Sequence, residues 1–376
     1  MFPDLLTYAP VVTAQFHLSL PQDLITSLRL LQAVDAFEGM SEWVYQTAAA
    51  LPDDFQTELT LLGYPIKWCF RRQDSLIWRL PPEHPVHRQW AAFRDYLEEM
   101  PAAEFQRVLL LNLSQEAGRV VALAPSSVQA SGKADHATVG EMLRRVRRSE
   151  EQKWGQAFVD LWDDAPLVAL INTPRPLKDR LISLLTRFWE SYYREDFERH
   201  RAALERSVAY HQQQTYPPGF TDLFRQVTGR ALSPTAHEYV QQHLTKIERV
   251  IFSPCSHLGL YFQITQSSPT LVVAFNYRTT PTQETERRAA VELFPPLKAL
   301  ADETRLHILS LLKEREMYAQ EIVEAVGLSQ STISRHLQLL ERTEIVNARQ
   351  ARGMKFYSIN RERGRTMLDA LKYLIE

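Results

Sequence analysis

The chain has 376 residues, enough for two or three domains, and its 45% apolar and 23% charged composition is that of a globular protein. A formal net charge of −2 excludes a chain that is basic throughout, so any nucleic-acid surface must be local. Cys69 and Cys255 are the only cysteines, which excludes a disulfide framework; no basic leader and no long apolar run are present, so a cytoplasmic protein that spans no membrane is expected.

In chain order, Phe16–Leu20 alternates like a short strand, and Pro21-Gln22-Asp23 opens a helix with Leu24, Ile25, Leu28 and Leu31 on one face. Helical segments are predicted near 35–50, 52–63, 84–100, 103–113, 138–164 and 177–213. Between 63 and 83 the alternation of Ile66, Trp68 and Phe70 allows a strand. The loop Ala124–Ala134 could separate two helical subdomains. Short helices follow at Thr221–Val227, stopped by Gly229, and at Pro234–Ile247. Leu260–Gln266 and Leu271–Tyr277 read as a hairpin. Arg278–Arg288 is polar without an apolar face and is the linker candidate.

Several stretches of this region invite a functional reading. Ser131-Gly132-Lys133-Ala134 resembles the end of a phosphate loop, but Ser127 stands where the first Gly belongs and Ala134 lacks the Mg²⁺-binding hydroxyl. Cys255-Ser256-His257 sets a thiol near an imidazole with no carboxylate assigned to either, so it reads as structural. His200, His211, His237 and His243 are scattered on helices, and their convergence needs a fold to judge. Arg144, Arg145, Arg147 and Arg148, answered by Glu150 and Glu151, read as a solvated helix face. Phe188–Phe197 carries two aromatic stripes, from which Trp189, Tyr192 and Tyr193 are taken as candidate walls of a ligand pocket, against the plainer reading of core packing.

The C-terminal quarter is the most informative. Ala319, Ile322, Val323 and Val326 give one buried helical face, Gly327 permits a left-handed turn, and Ser329 is a good N-cap for the next helix. There Ile333, Leu337 and Leu340 fall in one arc, while Gln330, Ser331, Ser334, Arg335, Gln338 and Arg342 occupy another. Amides, hydroxyls and guanidinium are the groups that read base edges. Ile345–Gln350 and Lys355–Ile359 follow as strand-like runs around Gly353, a hairpin wing with Arg349, Arg352 and Lys355 near its tip. From Arg335 to Arg365 eight Lys or Arg face three acids, the local basic stripe expected of a DNA-binding face.

Leu297–Leu309 (LKALADETRLHIL), Leu328–Leu337 (LSQSTISRHL) and the Gly353 wing together resemble the arsenical-resistance-repressor (ArsR) family of bacterial winged-helix regulators, over residues 291–376. The resemblance implies a homodimeric repressor that leaves its operator on sensing an effector. Metal sensors of that family place cysteines in the first helix of the helix-turn-helix or His and acid ligands on the last helix. The matching segments here, 315–321 and 361–376, contain neither Cys nor His, so metal sensing through them is not expected. The N-terminal region resembles in outline an uncharacterised helical domain found ahead of such winged helices.

The sequence therefore predicts a mainly α protein. Residues 1–277 form a predominantly helical sensor or effector region with a few short strands, 278–290 a linker, and 291–376 a winged helix-turn-helix. DNA contacts are assigned to Gln330, Ser331, Thr332, Ser334, Arg335, Gln338, Arg349, Arg352 and Lys355. No catalytic residue, metal ligand or cofactor is assigned. The expected partners are a double-stranded DNA operator, a second copy of the chain, and a non-metal small-molecule effector or a protein. An enzyme or protein-interaction domain fused to a winged-helix regulator is the alternative.

Overall fold

Local signals shape the first elements of the computed structural model, which describes residues 13–375 apart from 35–38, 72–74, 121–133, 155–163, 233–235, 238–239, 241–246, 268, 281–284 and 352–353. Strand β1 (Thr13–Phe16) leads into α1 (Leu20–Leu31), whose cap Ser19 accepts from the Gln22 amide at 3.3 Å. The strand thus ends where the sequence expected it to begin, because Ser19 already serves the helix. Then come α2 (Glu42–Ala50), α3 (Asp53–Phe70), a 3₁₀ turn at Pro85–His87, α4 (Trp90–Glu99), α5 (Ala102–Val120) and α6 (His136–Trp154). The strand allowed between 63 and 83 is instead the last part of α3, which runs through Pro65. Ile66, Trp68 and Phe70 are all fully buried in this helix, and only Lys67 among residues 65–70 is half-buried, so the alternation misleads.

Helix α7 (Asp164–Ile171) is followed by α8 (Pro174–Phe188), one π-helical turn (Trp189–Tyr193), α9 (Arg194–Gln212) and α10 (Phe220–Thr228). Gly229 closes α10 at φ +66°, as its sequence suggests. The expected loop 124–134 falls almost wholly outside the described residues, as does most of the helix expected at 234–247. The helices on either side of that loop, α5 and α6, pack together in one core.

Sequence reading did not anticipate the sheet. Strands β2 (Arg249–Cys255), β3 (Gln263–Ser267) and β4 (Thr270–Asn276) join β1 in the order β1-β2-β4-β3. β1 and β4 run parallel to β2, and β3 and β4 form the expected antiparallel hairpin. Side chains alternate between two cores. Val250, Phe252, Leu271, Val273 and Phe275 meet Phe220, Leu223, Phe224 and Val227 of α10, whereas Ile251 and Val272 enter the helical core. Both faces of β2 are covered, which is the usual setting of a parallel strand.

The C-terminal region comprises α11 (Thr285–Leu300), α12 (Glu303–Glu314), β5 (Met317–Tyr318), α13 (Ala319–Val326), α14 (Gln330–Arg342), β6 (Val346–Ala351), β7 (Met354–Ile359) and α15 (Arg361–Ile375). Part of the expected linker is therefore helical, since α11 begins at Thr285. β5, β7 and β6 make an antiparallel sheet, with Ala351 opposite Met354 at the wing tip. Ile308, Leu312, Ile322, Ile333, Leu337, Leu340 and Tyr357 form its core, and α11 packs on α15. Among the described residues no helix is long and apolar enough to cross a membrane.

Candidate nucleic-acid interface

Helix α14 begins where its sequence places the cap. The Ser329 hydroxyl accepts from the Thr332 amide at 3.2 Å, and Gly327 turns the chain at φ +76° just before it. Ile333, Leu337 and Leu340 are fully buried, so the opposite face looks outward. On that face Gln330 and Arg335 are exposed, and Ser331, Thr332, Ser334 and Gln338 are half-buried. These side chains are not equivalent. The Thr332 hydroxyl lies 2.8 Å from Ser329 Oγ and belongs to the cap. Gln338 donates to Ser334 Oγ at 3.3 Å, while its Oε1 is buried without a hydrogen-bond partner. Gln330, Ser334 and Arg335 lie in the N-terminal half of the helix on its outward face.

Acids hold the described cations of the wing. Arg349 pairs with Glu316, Nε to Oε2 at 2.9 Å, and Lys355 Nζ lies 2.7 Å from Glu341 Oε2. The hydrogen bond to Glu316 raises the already high pKa of Arg349. The Arg349–Glu316 pair is exposed and contributes little to stability, whereas Lys355–Glu341 is half-buried. Arg352 lies outside the described residues.

The C-terminal end of α14 is occupied. Arg342, placed by its spacing on the polar arc, stacks over the Tyr261 ring with Cζ 3.9 Å from the centroid, and its carbonyl accepts from Arg230 Nη1 at 2.6 Å. Burial lowers the Arg342 pKa. Leu339, which belonged to neither stripe in the sequence, is buried in the same apolar cluster as Leu260. Residues 230 and 260–261 thus grip the recognition helix from the N-terminal region. Only the fold could show this contact.

Behind that grip lies a polar centre. The loop after β2 carries Ser256, whose amide and hydroxyl donate to the buried carboxylate of Asp23 at 2.8 and 2.7 Å. Burial raises the Asp23 pKa, against the lowering effect of His257 and of these hydrogen bonds. His257 bridges α9 and the start of α2: Nε2 is 2.6 Å from Asp196 Oδ2, and Nδ1 is 2.8 Å from Ser41 Oγ. His200 Nδ1 lies 3.3 Å from the same Asp196 oxygen. Spacing alone assigned His257 no carboxylate partner; Asp196 supplies it from 61 residues away.

Of the aromatic candidates, Trp189 and Tyr193 are buried in the helical core and Tyr192 is half-buried against it. Trp189 stacks on Trp90 at 5.4 Å, and Tyr193 accepts from the Ser27 hydroxyl at 3.3 Å. An open cleft of about 630 Å³ lies elsewhere, between β1 and the end of α9, lined by Phe16, His17, Glu83, His211, Gln212 and Tyr216 among others. The basic cluster of α6 is also answered differently from expectation: Arg144 and Arg145 pair with Glu141, at 3.0 and 2.9 Å, while Glu150 is buried near Lys67.

Comparison with other proteins follows the same division of the chain. The family described as "Bacterial regulatory protein, arsR family" matches residues 302–348. Transcriptional activator HlyU of Vibrio cholerae is 36% identical over 92 residues, 24% of this chain and 84% of that protein. Transcriptional repressor SdpR of Bacillus subtilis is 38% identical over 63 residues, covering 17% and 70% respectively. Among solved structures, HlyU from Vibrio cholerae aligns over 24% of this chain and 98% of its own, at 30% identity and a TM-score of 0.20. A homodimeric winged helix-turn-helix DNA-binding domain from Mycobacterium bovis aligns over 25% and 89%, at 31% identity and a TM-score of 0.21. By its C-terminal winged helix-turn-helix, the chain belongs to the arsR family of bacterial regulatory proteins.

Proposed function

We propose that the protein is a DNA-binding transcriptional regulator, an operator-binding repressor whose residues 291–376 bind DNA as a homodimer and whose residues 1–277 carry the signal. One observation carries this reading: the N-terminal half of α14 offers Gln330, Ser334 and Arg335 outward, while the N-terminal region holds its C-terminal end through Leu260, Tyr261 and Arg230. A change in that region then reaches the reading helix without an intermediary. Ser331, Thr332 and Gln338 would support the base contacts, and Arg349, Arg352 and Lys355 the backbone contacts. Phe294 on α11 and Leu368 on α15 are 65% and 61% exposed on two helices that pack together, an apolar face suited to a two-fold partner. Selection of bound duplexes from a randomised pool by the full chain tests the reading. Recovery of a palindromic site that Arg335→Ala binds more weakly by about 1–3 kcal/mol is expected; recovery of no sequence preference would sink it.

An enzyme fused to its own regulator has one observation in its favour, the order Ser41–His257–Asp196, a hydroxyl, an imidazole and a carboxylate in hydrogen-bonded series. Against it, His257 is 2% exposed and the Trp43 ring stacks on its face at 4.1 Å, leaving little room for a substrate. Fluorophosphonate labelling that disappears in Ser41→Ala would move the function of residues 1–277 to hydrolysis.

A further inference from the structure

Asp196 and His200 lie one turn apart on α9, and His257 reaches them from the loop after β2. One donor atom from each falls within 4.8 Å of the other two. Ligands bound to a single tetrahedral ion at about 2.0–2.1 Å stand roughly 3.4 Å apart, so small side-chain adjustments admit an ion between them. The surroundings fit the same purpose. Ser41 engages the ring nitrogen of His257 that faces away from Asp196, the kind of second contact that fixes the tautomer and orientation of a ligating imidazole. Trp43, stacked at 4.1 Å, and the half-buried His200, 5.4 Å away edge-on, hold the His257 ring. Two contacts compete with an ion: Arg199 Nη1 lies 3.0 Å from Asp196 Oδ1 on a side chain that is 67% exposed and can swing away, and His200 Nδ1 lies 2.8 Å from the Asp196 carbonyl oxygen, a hydrogen bond that an ion bound through this nitrogen replaces.

Two imidazoles and one carboxylate without a thiolate suit a late first-row divalent ion such as Zn²⁺, Co²⁺ or Ni²⁺, and suit Mg²⁺ or Ca²⁺ poorly. We propose that Asp196, His200 and His257 form a binding site for such an ion, and that filling it acts on the recognition helix through residues 257–261. The site stands apart from segments 315–321 and 361–376, and it replaces the expected non-metal signal with a metal read from the N-terminal region. The second half of the proposal rests on the DNA-binding function proposed above.

The connection to α14 is short and stiff. Gly259 sits at φ +59° with a Cβ position 2.1 Å from the Gly39 carbonyl oxygen, so no side chain fits there. Leu260 N donates to that same oxygen at 3.1 Å, and Asn276 Nδ2 donates to the Gly259 carbonyl at 2.8 Å. The next two side chains are the ones that touch α14: Leu260 shares the winged core with Leu339, and Tyr261 lies under Arg342. An ion that draws His257 toward α9 pulls on a segment with no slack. It biases DNA binding only insofar as it prefers one position of that segment.

The test uses the untagged full-length chain, stripped with chelator and dialysed against Zn²⁺ or Co²⁺. One equivalent per chain is expected, with Co²⁺ giving the visible absorption of a nitrogen- and oxygen-ligated ion and no thiolate charge-transfer band. His200→Ala, a half-buried helix position that should leave the fold intact by circular dichroism, should weaken binding at least about tenfold, and Ser41→Ala, which keeps all three ligands, by about 10-fold or more. No stoichiometric uptake, or uptake unchanged in His200→Ala, overturns the site. On a duplex selected by the metal-free protein, saturating Zn²⁺ should shift affinity by about 5–150-fold in the native chain and not in His200→Ala. An unchanged affinity overturns the coupling. Failure of the metal-free chain to bind any duplex overturns the DNA-binding function instead, and leaves the dialysis result standing.

Discussion

Arg335 and Arg342 stand on the same helix and were indistinguishable by spacing, yet one is exposed on the outward face and the other is stacked on Tyr261. Arg335→Ala should cost about 1–3 kcal/mol at the operator and relax base preference at one position, measured by titration of matched and mismatched duplexes. Arg352→Ala should instead weaken specific and random duplexes alike and flatten the salt dependence. Equal operator affinity for Arg335→Ala and the native chain would remove Arg335 from the readout. At Trp189 the burial decides the outcome: Trp189→Ala removes a core side chain and should cost about 3–5 kcal/mol of stability, read by denaturant titration. Two histidines give opposite pH signs in the metal-free chain. The hydrogen bond to Asp196 raises the pKa of His200 above 6.5, so its contribution is full below that pH and is lost as pH rises through the raised value. Burial lowers the pKa of His87 to about 4, so its contribution is present above 6.5 and is lost as pH falls toward 4. Melting temperature against pH should therefore lose part of its alkaline slope in His200→Ala and part of its acid slope in His87→Gln. Parallel curves for the native chain and both variants would contradict these assignments.

Helix α14 and the 257–261 segment show why some elements could be read from the sequence and others could not. The helix-turn-helix is specified locally: Gly327 turns, Ser329 caps, and the apolar positions recur at helical spacing, so its bounds and buried face agree with the pattern. The wing likewise follows from two strand-like runs adjacent in the chain. The four-stranded sheet has no such local signature, because β1 pairs with β2, for example Phe16 with Phe252, across most of the chain. Its central strands β2 and β4 are buried on both faces and lose the alternation that marks an amphipathic strand. The metal-ligand candidates are hidden for the same reason, since α9 supplies two of them and the loop after β2 the third. The grip on α14 is also long-range, and it has its own consequence. Tyr261→Ala removes the ring beneath Arg342, a ring that also packs against the edge of the winged core, so the melting temperature should fall somewhat, and operator affinity measured well below it should move away from the native value. Fluorescence anisotropy on one duplex would measure this; an affinity identical to native would mean that the contact is structural only.

At the scale of the whole molecule, one recognition helix covers too few bases to specify a site alone, so the proposed function calls for a second copy. The face available for it is apolar and exposed, with Phe294 on α11 and Leu368 on α15 among the most exposed large hydrophobic residues. Pairing these faces about a two-fold axis would cover both and set two copies of α14 about 34–36 Å apart, one turn of DNA. Because both side chains are solvent-facing in the monomer, Phe294→Glu with Leu368→Glu should change its folding stability by little. The double variant should sediment as a monomer at tens of micromolar, where the native chain is expected to be a dimer. Losing the linked second half-site should reduce affinity for a two-half-site duplex by about 10²–10⁴-fold, while affinity for a single half-site stays near native. That difference between duplexes separates lost pairing from a damaged reading helix, which would weaken both equally. If the double variant remains dimeric, the two-fold contact lies on another surface, and the spacing of the half-sites must be derived from that surface instead.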